Sequence, residues 1–137
     1  MGRLVFDAQP LIAFALDEPS ADLVEARMRE CAETGGGIIA AVNWCEVLYV
    51  IQRHLGHHSA ARSAHLIEAA HIAIADVDAR IAGVAADLKA RHGLGLGDAF
   101  AAALALDASA PLLTGDADFL PLAAHGLTIE WVGAPPG

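Results

Sequence analysis

The segments able to form strands in this chain are short, and a helical pattern separates each from the next. Leu4-Val5-Phe6 is an apolar run cut off by Asp7. Ile38-Ile39-Ala40, His71 to Ala75, Pro111 to Thr114 and Leu127 to Val132 are the other candidates. Helical spacing runs from near Pro10 to Leu16, from a Ser20 cap to about Glu33, and from Asn43 to His54, where Gly56 stops it. It resumes from Ser59 to about Ala70, from an Asp78 cap to His92, and from Asp98 to Ala108 through almost pure alanine and leucine. Asp116 to Leu122 reads as a turn and short helix. Short strands alternating with longer helices are joined most simply as a parallel sheet covered on both faces, an α/β fold. No linker or repeat divides the 137 residues, so the expectation is one domain over residues 1–132 with a tail over 133–137.

Composition narrows the class. Hydrophobic residues make up 55% of the chain and charged residues 18%, which excludes global disorder. A formal charge of −9 argues against a partner held by bulk basic charge. No run is long enough to span a membrane, and Asp7 interrupts the first apolar run before a signal-peptide core can form. Phe6 stands where a myristoylation signal wants a hydroxyl. Cys31 and Cys45 are far apart, which fits a reducing cytosol with buried thiols better than a disulfide or zinc. The expected location is cytoplasmic.

In parallel α/β folds, ligands sit at the carboxyl ends of the strands. Asp7 follows the first strand, Asp116 follows a later one, and Asp98 heads a helix after the glycine-rich turn 93–97. Glu46 lies inside an apolar helix, where an unpaired carboxylate is costly, and Lys89 is the only lysine in the chain. Converging carboxylates raise one another's pKa, and a hard divalent cation such as Mg²⁺ relieves that repulsion. Such a cation can polarise a phosphodiester and activate water, so the residues point to a metal-dependent phosphodiester hydrolase. The plain alternative is that Asp7, Asp98 and Asp116 only cap helices and that Glu46 is an exposed glutamate on a helix edge.

Four motifs, in order, resemble the PIN-domain nucleases, and in particular the VapC toxins of bacterial toxin–antitoxin pairs. They are Leu4-Val5-Phe6-Asp7, Asn43-Trp44-Cys45-Glu46, Leu96-Gly97-Asp98-Ala99 and Leu113-Thr114-Gly115-Asp116-Ala117-Asp118-Phe119. The resemblance implies a three-layer PIN-like fold and an endoribonuclease binding Mg²⁺ or Mn²⁺ through Asp7, Glu46, Asp98 and Asp116. It implies an assisting role for Asp118, and supporting roles for Asn43 and Thr114. It also implies a homodimer and a VapB-like antitoxin partner. The family often has Ser or Thr two residues after its first acid, and here Gln9 stands there with a different reach.

The acidic balance is uneven. Between Glu46 and Glu68 there is no acid, while Arg53, His54, His57, His58, Arg62 and His65 all fall there. Lys89, Arg91 and His92 form a second basic patch. Arg53, Arg62 and Arg91 are the candidate RNA contacts; a solvated surface or an antitoxin contact is the alternative. His54 and His58 invite a zinc reading, but Gly56 falls between them and no Cys or acid completes the site. Trp44 and Tyr49 are expected in the core or a dimer interface. A receiver-like signalling domain would need a lysine near the last strand, and a haloacid-type phosphatase a second Asp at position 9. A non-catalytic PIN-fold scaffold would have no use for clustered carboxylates.

Overall fold

A computed structural model describes residues 2–136; Met1 and Gly137, the ends of the expected domain and tail, lie outside the described residues. The elements run β1 (Leu4–Phe6), α1 (Ala8–Ala15), α2 (Ala21–Thr34), β2 (Gly37–Ala40), α3 (Ala41–Glu68) and β3 (Ala73–Ala75). They continue α4 (Ala79–His92), α5 (Leu96–Asp107), β4 (Leu112–Thr114), a 3-10 stretch over Ala117–His125, and β5 (Ile129–Trp131). All strand pairs are parallel and the sheet order is β3-β2-β1-β4-β5.

Side-chain alternation along the central strands builds a core on each face. Leu4, Phe6, Ile39 and Leu113 pack with Leu11 of α1, Val24 and Met28 of α2, and Val47 and Ile51 of α3. Val5, Ile38, Ala40 and Leu112 pack with Ile81 and Ala85 of α4 and the buried alanines of α5. The result is three layers, as the residue pattern predicts. The short, small side chains of α5 let it lie close under β1 and β2 while α4 covers its far side. Trp44 packs half-buried against the α1–α3 core, whereas Tyr49 is exposed. No helix among the described residues is long and apolar enough to cross a membrane.

Three local expectations are corrected. Helix α1 begins at Ala8 rather than Pro10, because Asp7 caps it through Ala8 N–H. Helix α5 begins at Leu96, so Asp98 is a first-turn residue and Gly95 occupies the cap position. Cys31 is buried as expected, but Cys45 is exposed. Gly56 stops the helical geometry as expected, with φ 78° and ψ 165°, so α3 is two helices that meet at a kink there.

Candidate active site

Strand order determines where the acids meet. The chain leaves β1 toward β2 on one side and returns to pair β4 on the other, so β1 and β4 flank the point where the order reverses. Asp7 leaves the end of β1 and Asp116 lies two residues beyond β4. Thr114 joins them: its hydroxyl donates to Asp7 Oδ2 at 2.8 Å and accepts the Asp116 N–H at 3.0 Å. Asp7 Oδ1 accepts the Ala8 N–H at 2.9 Å, and Asp116 Oδ1 accepts the Asp118 N–H at 2.9 Å. The capping reading therefore holds for Asp7 and Asp116.

The other two acids arrive on helices. Asn43, fully buried in the first turn of α3, donates from Nδ2 to the Gly97 carbonyl of α5 at 2.9 Å. That bond draws together the two helices that carry Glu46 and Asp98. At Gly97 a Cβ would lie 2.7 Å from Glu46 Oε1, so the close approach requires the absence of a side chain. Gln9 does not replace the expected hydroxyl at Asp7. Its Oε1 instead accepts the Gly115 N–H at 2.9 Å and ties α1 to the loop that carries Asp116. A Cβ at Gly115 would lie 2.9 Å from that oxygen.

Carboxylate oxygens of Asp98, Asp116 and Asp118 all lie within 4.8 Å of one another. Asp7 and Glu46 flank this triplet without belonging to it, close enough for their charges to act on its members. Burial pushes the Asp7 carboxyl up to about 7, with Asp98 and Glu46 adding to the rise and the Thr114 and Ala8 hydrogen bonds opposing it. Asp98 is raised to about 6, first by burial and then by Asp116, Glu46 and Asp118. An all-oxygen donor set that repels itself, half-buried at Asp98 and Asp116 and exposed at Asp118, suits a hard divalent cation. The alternative zinc set does not assemble: His54 bonds the Val50 carbonyl, His57 bonds Gln52, and no histidine cluster with three ligands forms among the described residues.

The sequence matches the family model described as PIN domain over residues 4–124. The chain belongs to the PIN domain family. Solved structures share the fold at low identity. VapBC2 from Rickettsia felis, bound to a DNA fragment from its promoter, superposes with a TM-score of 0.74 at 16% identity, covering 93% of this chain and 97% of that one. DNA-bound VapBC from Salmonella typhimurium gives 0.71 at 18% identity, covering 96% and 99%. The Mycobacterium tuberculosis toxin VapC20, which cleaves the sarcin-ricin loop, gives 0.69 at 16%, covering 91% and 96%. No curated protein is a significant match by sequence.

In this PIN domain the three candidate RNA-contacting arginines are exposed. Arg53 lies on α3 with its guanidinium on the Tyr49 hydroxyl at 3.0 Å, Arg62 lies beyond the Gly56 kink, and Arg91 pairs with Asp87 at 3.1 Å. Lys89 donates to the Leu94 carbonyl at 2.8 Å. Sequence reasoning missed Gly97 and Gly115 as parts of the site. Both sit beside a motif acid, which was a signal, but only the fold shows which side chain needs the space.

Proposed function

We propose that this PIN domain is a divalent-metal-dependent endoribonuclease, the toxin of a VapBC-type toxin–antitoxin pair acting in the cytoplasm as a homodimer. The observation that carries the reading is the convergence of Asp98, Asp116 and Asp118 within 4.8 Å, flanked by Asp7 and Glu46. The PIN family match and the shared fold with VapC toxins support a nuclease with a VapB-like partner. A bound Mg²⁺ or Mn²⁺ would supply polarisation of the phosphodiester and activation of a water.

The chain's own residues would do the rest. Asp98, Asp116 and Asp118 hold the cation, and Asp7 and Glu46 complete the negative field around it. Thr114 fixes the relative position of Asp7 and Asp116 through its donated and accepted hydrogen bonds. Asn43 keeps Glu46 beside Asp98 by gripping Gly97. Near neutral pH Asp7 is about half protonated and Asp98 mostly ionised, and a bound cation would favour the ionised form of both.

The test is cleavage of a structured RNA with Mg²⁺, Mn²⁺ or chelator, comparing the native chain with Asp116→Asn. Cutting that needs metal and disappears in the variant supports the nuclease. Metal-independent cutting, or full activity in Asp116→Asn, would remove this site from the chemistry.

A further inference from the structure

We infer that the exposed side of α3, from Tyr49 to His65, is the surface that grips the sugar–phosphate backbone of single-stranded RNA. This rests on the nuclease reading above. The first support is how the cations are used. Arg27 pairs with Glu30 and Glu130, Arg29 with Glu25, Arg80 with Asp107 and Arg91 with Asp87. Among the described residues, Arg3, Arg53 and Arg62 form no ion pair, and the last two are exposed on α3. A guanidinium already shared with a carboxylate has less to offer a phosphate; these two are undiminished.

The second support is the field. Residues 47–67 contain two arginines, four histidines and no acid, in a chain whose formal charge is −9. The acids all lie in the rest of the chain, so this stretch favours the approach of a polyanion.

The third is geometry. Glu46, Tyr49 and Arg53 are spaced three and then four residues apart on one helical face. The Cα of Arg53 is about 10 Å along the axis from that of Glu46. Tyr49 is 53% exposed, and the Arg53 guanidinium lies 5.7 Å from its ring centroid. Exposed to this degree, the Tyr49 ring could stack on a base while the cation beside it meets a phosphate. Beyond the kink, His58, Arg62 and His65 line an open groove with Ala61 and Leu66. The strand would run from the acid cluster outward along α3. An acidic protein partner on the same face is the competing occupant, and RNA is favoured because the stretch begins on the helix that carries Glu46.

The experiment measures binding of a short fluorescein-labelled single-stranded RNA by anisotropy, in an Asp116→Asn background, across a salt series. The double variant R53Q/R62Q is expected to bind about tenfold more weakly, with a log–log salt slope about 1.4 shallower. R53K/R62K, which keeps the charge, is expected to retain the native slope, which separates charge from folding. R29Q/R80Q removes two paired arginines and is expected to change neither value. Equal binding and slope for R53Q/R62Q and native protein would overturn the proposal, as would equal losses in R29Q/R80Q. Loss of binding to an acidic protein partner with RNA binding intact would likewise overturn it and assign the face to that partner. The nuclease reading is scored separately, by metal-dependent cleavage in chains that retain Asp116. Cleavage there with unchanged RNA binding in R53Q/R62Q leaves the nuclease standing without this surface.

Discussion

Asp7 is 3% exposed, and its two oxygens are filled by neutral donors, Ala8 N–H and the Thr114 hydroxyl. Burial dominates, so the folded carboxyl titrates at about 7 against an ordinary 3.8. With the folded pKa raised, the group contributes no penalty below about pH 4, where both folded and unfolded chains are protonated. The penalty grows as pH rises and is complete above about 7, where the folded protein must ionise a buried acid. Asp7→Asn keeps the cap to Ala8 and removes the charge. In chelator, its thermal stability should equal that of the native chain near pH 4 and exceed it above pH 7, by on the order of a few kcal/mol. A stability difference flat across that window would show that Asp7 is not the titrating group. A second substitution probes geometry rather than charge. Gly97→Ala would place a Cβ 2.7 Å from Glu46 Oε1, the far end of a flexible side chain that can swing away. Alanine is also the better helix former by about 1 kcal/mol. The variant is therefore expected to melt no lower than the native chain while losing about tenfold or more of its metal-dependent cleavage, since one misplaced group is that costly. Full activity would mean that the position of Glu46 is not critical.

Elements were legible where their boundaries are set by side chains and less so where backbone sets them. Asp78 caps α4 through Ile81 N–H at 2.9 Å, and that helix begins and ends where the residues indicate. Helix α5 starts two residues ahead of Asp98, because its cap position is taken by Gly95 without a side-chain bond. Gly56 reads as a stop, and helical geometry does stop there, with a second helix following across the kink. Val47 and Ile51 before it and Ala60 and Ile67 after it set both helices on the same core. Its φ of 78° with ψ of 165° lies in a region open essentially to glycine alone, and no atom stands within 4 Å of a Cβ built there. Gly56→Ala thus isolates backbone strain from packing. It should cost about 1–3 kcal/mol in a urea unfolding curve at unchanged slope. No loss at all would mean that α3 straightens at little cost and that its two halves are not held at this angle.

At the scale of the molecule, the acids could be nominated from residues alone, but their convergence could not. Spacing along the chain says nothing of distance between Asp7 and Asp116; pairing of β1 with β4 does, and so does the Thr114 bridge across them. Gln9 illustrates the reverse case. It departs from the family pattern, yet the fold uses it to hold Gly115 while Thr114 supports Asp7. Because the cluster is assembled only by the complete fold, a cation bound there must stabilise the whole chain by mass action. It must also compete with protons, since Asp7 and Asp98 titrate at about 7 and about 6. The rise in melting temperature on adding Mg²⁺ to chelator-treated protein is therefore expected to be large at pH 8 and to shrink steadily toward pH 5. Measuring the rise at each pH against its own metal-free control removes the separate effect of pH on the apo protein. Asp116→Asn should abolish most of the shift at pH 8. A shift of equal size at both pH values, or one that survives Asp116→Asn, would place the cation somewhere other than among these carboxylates.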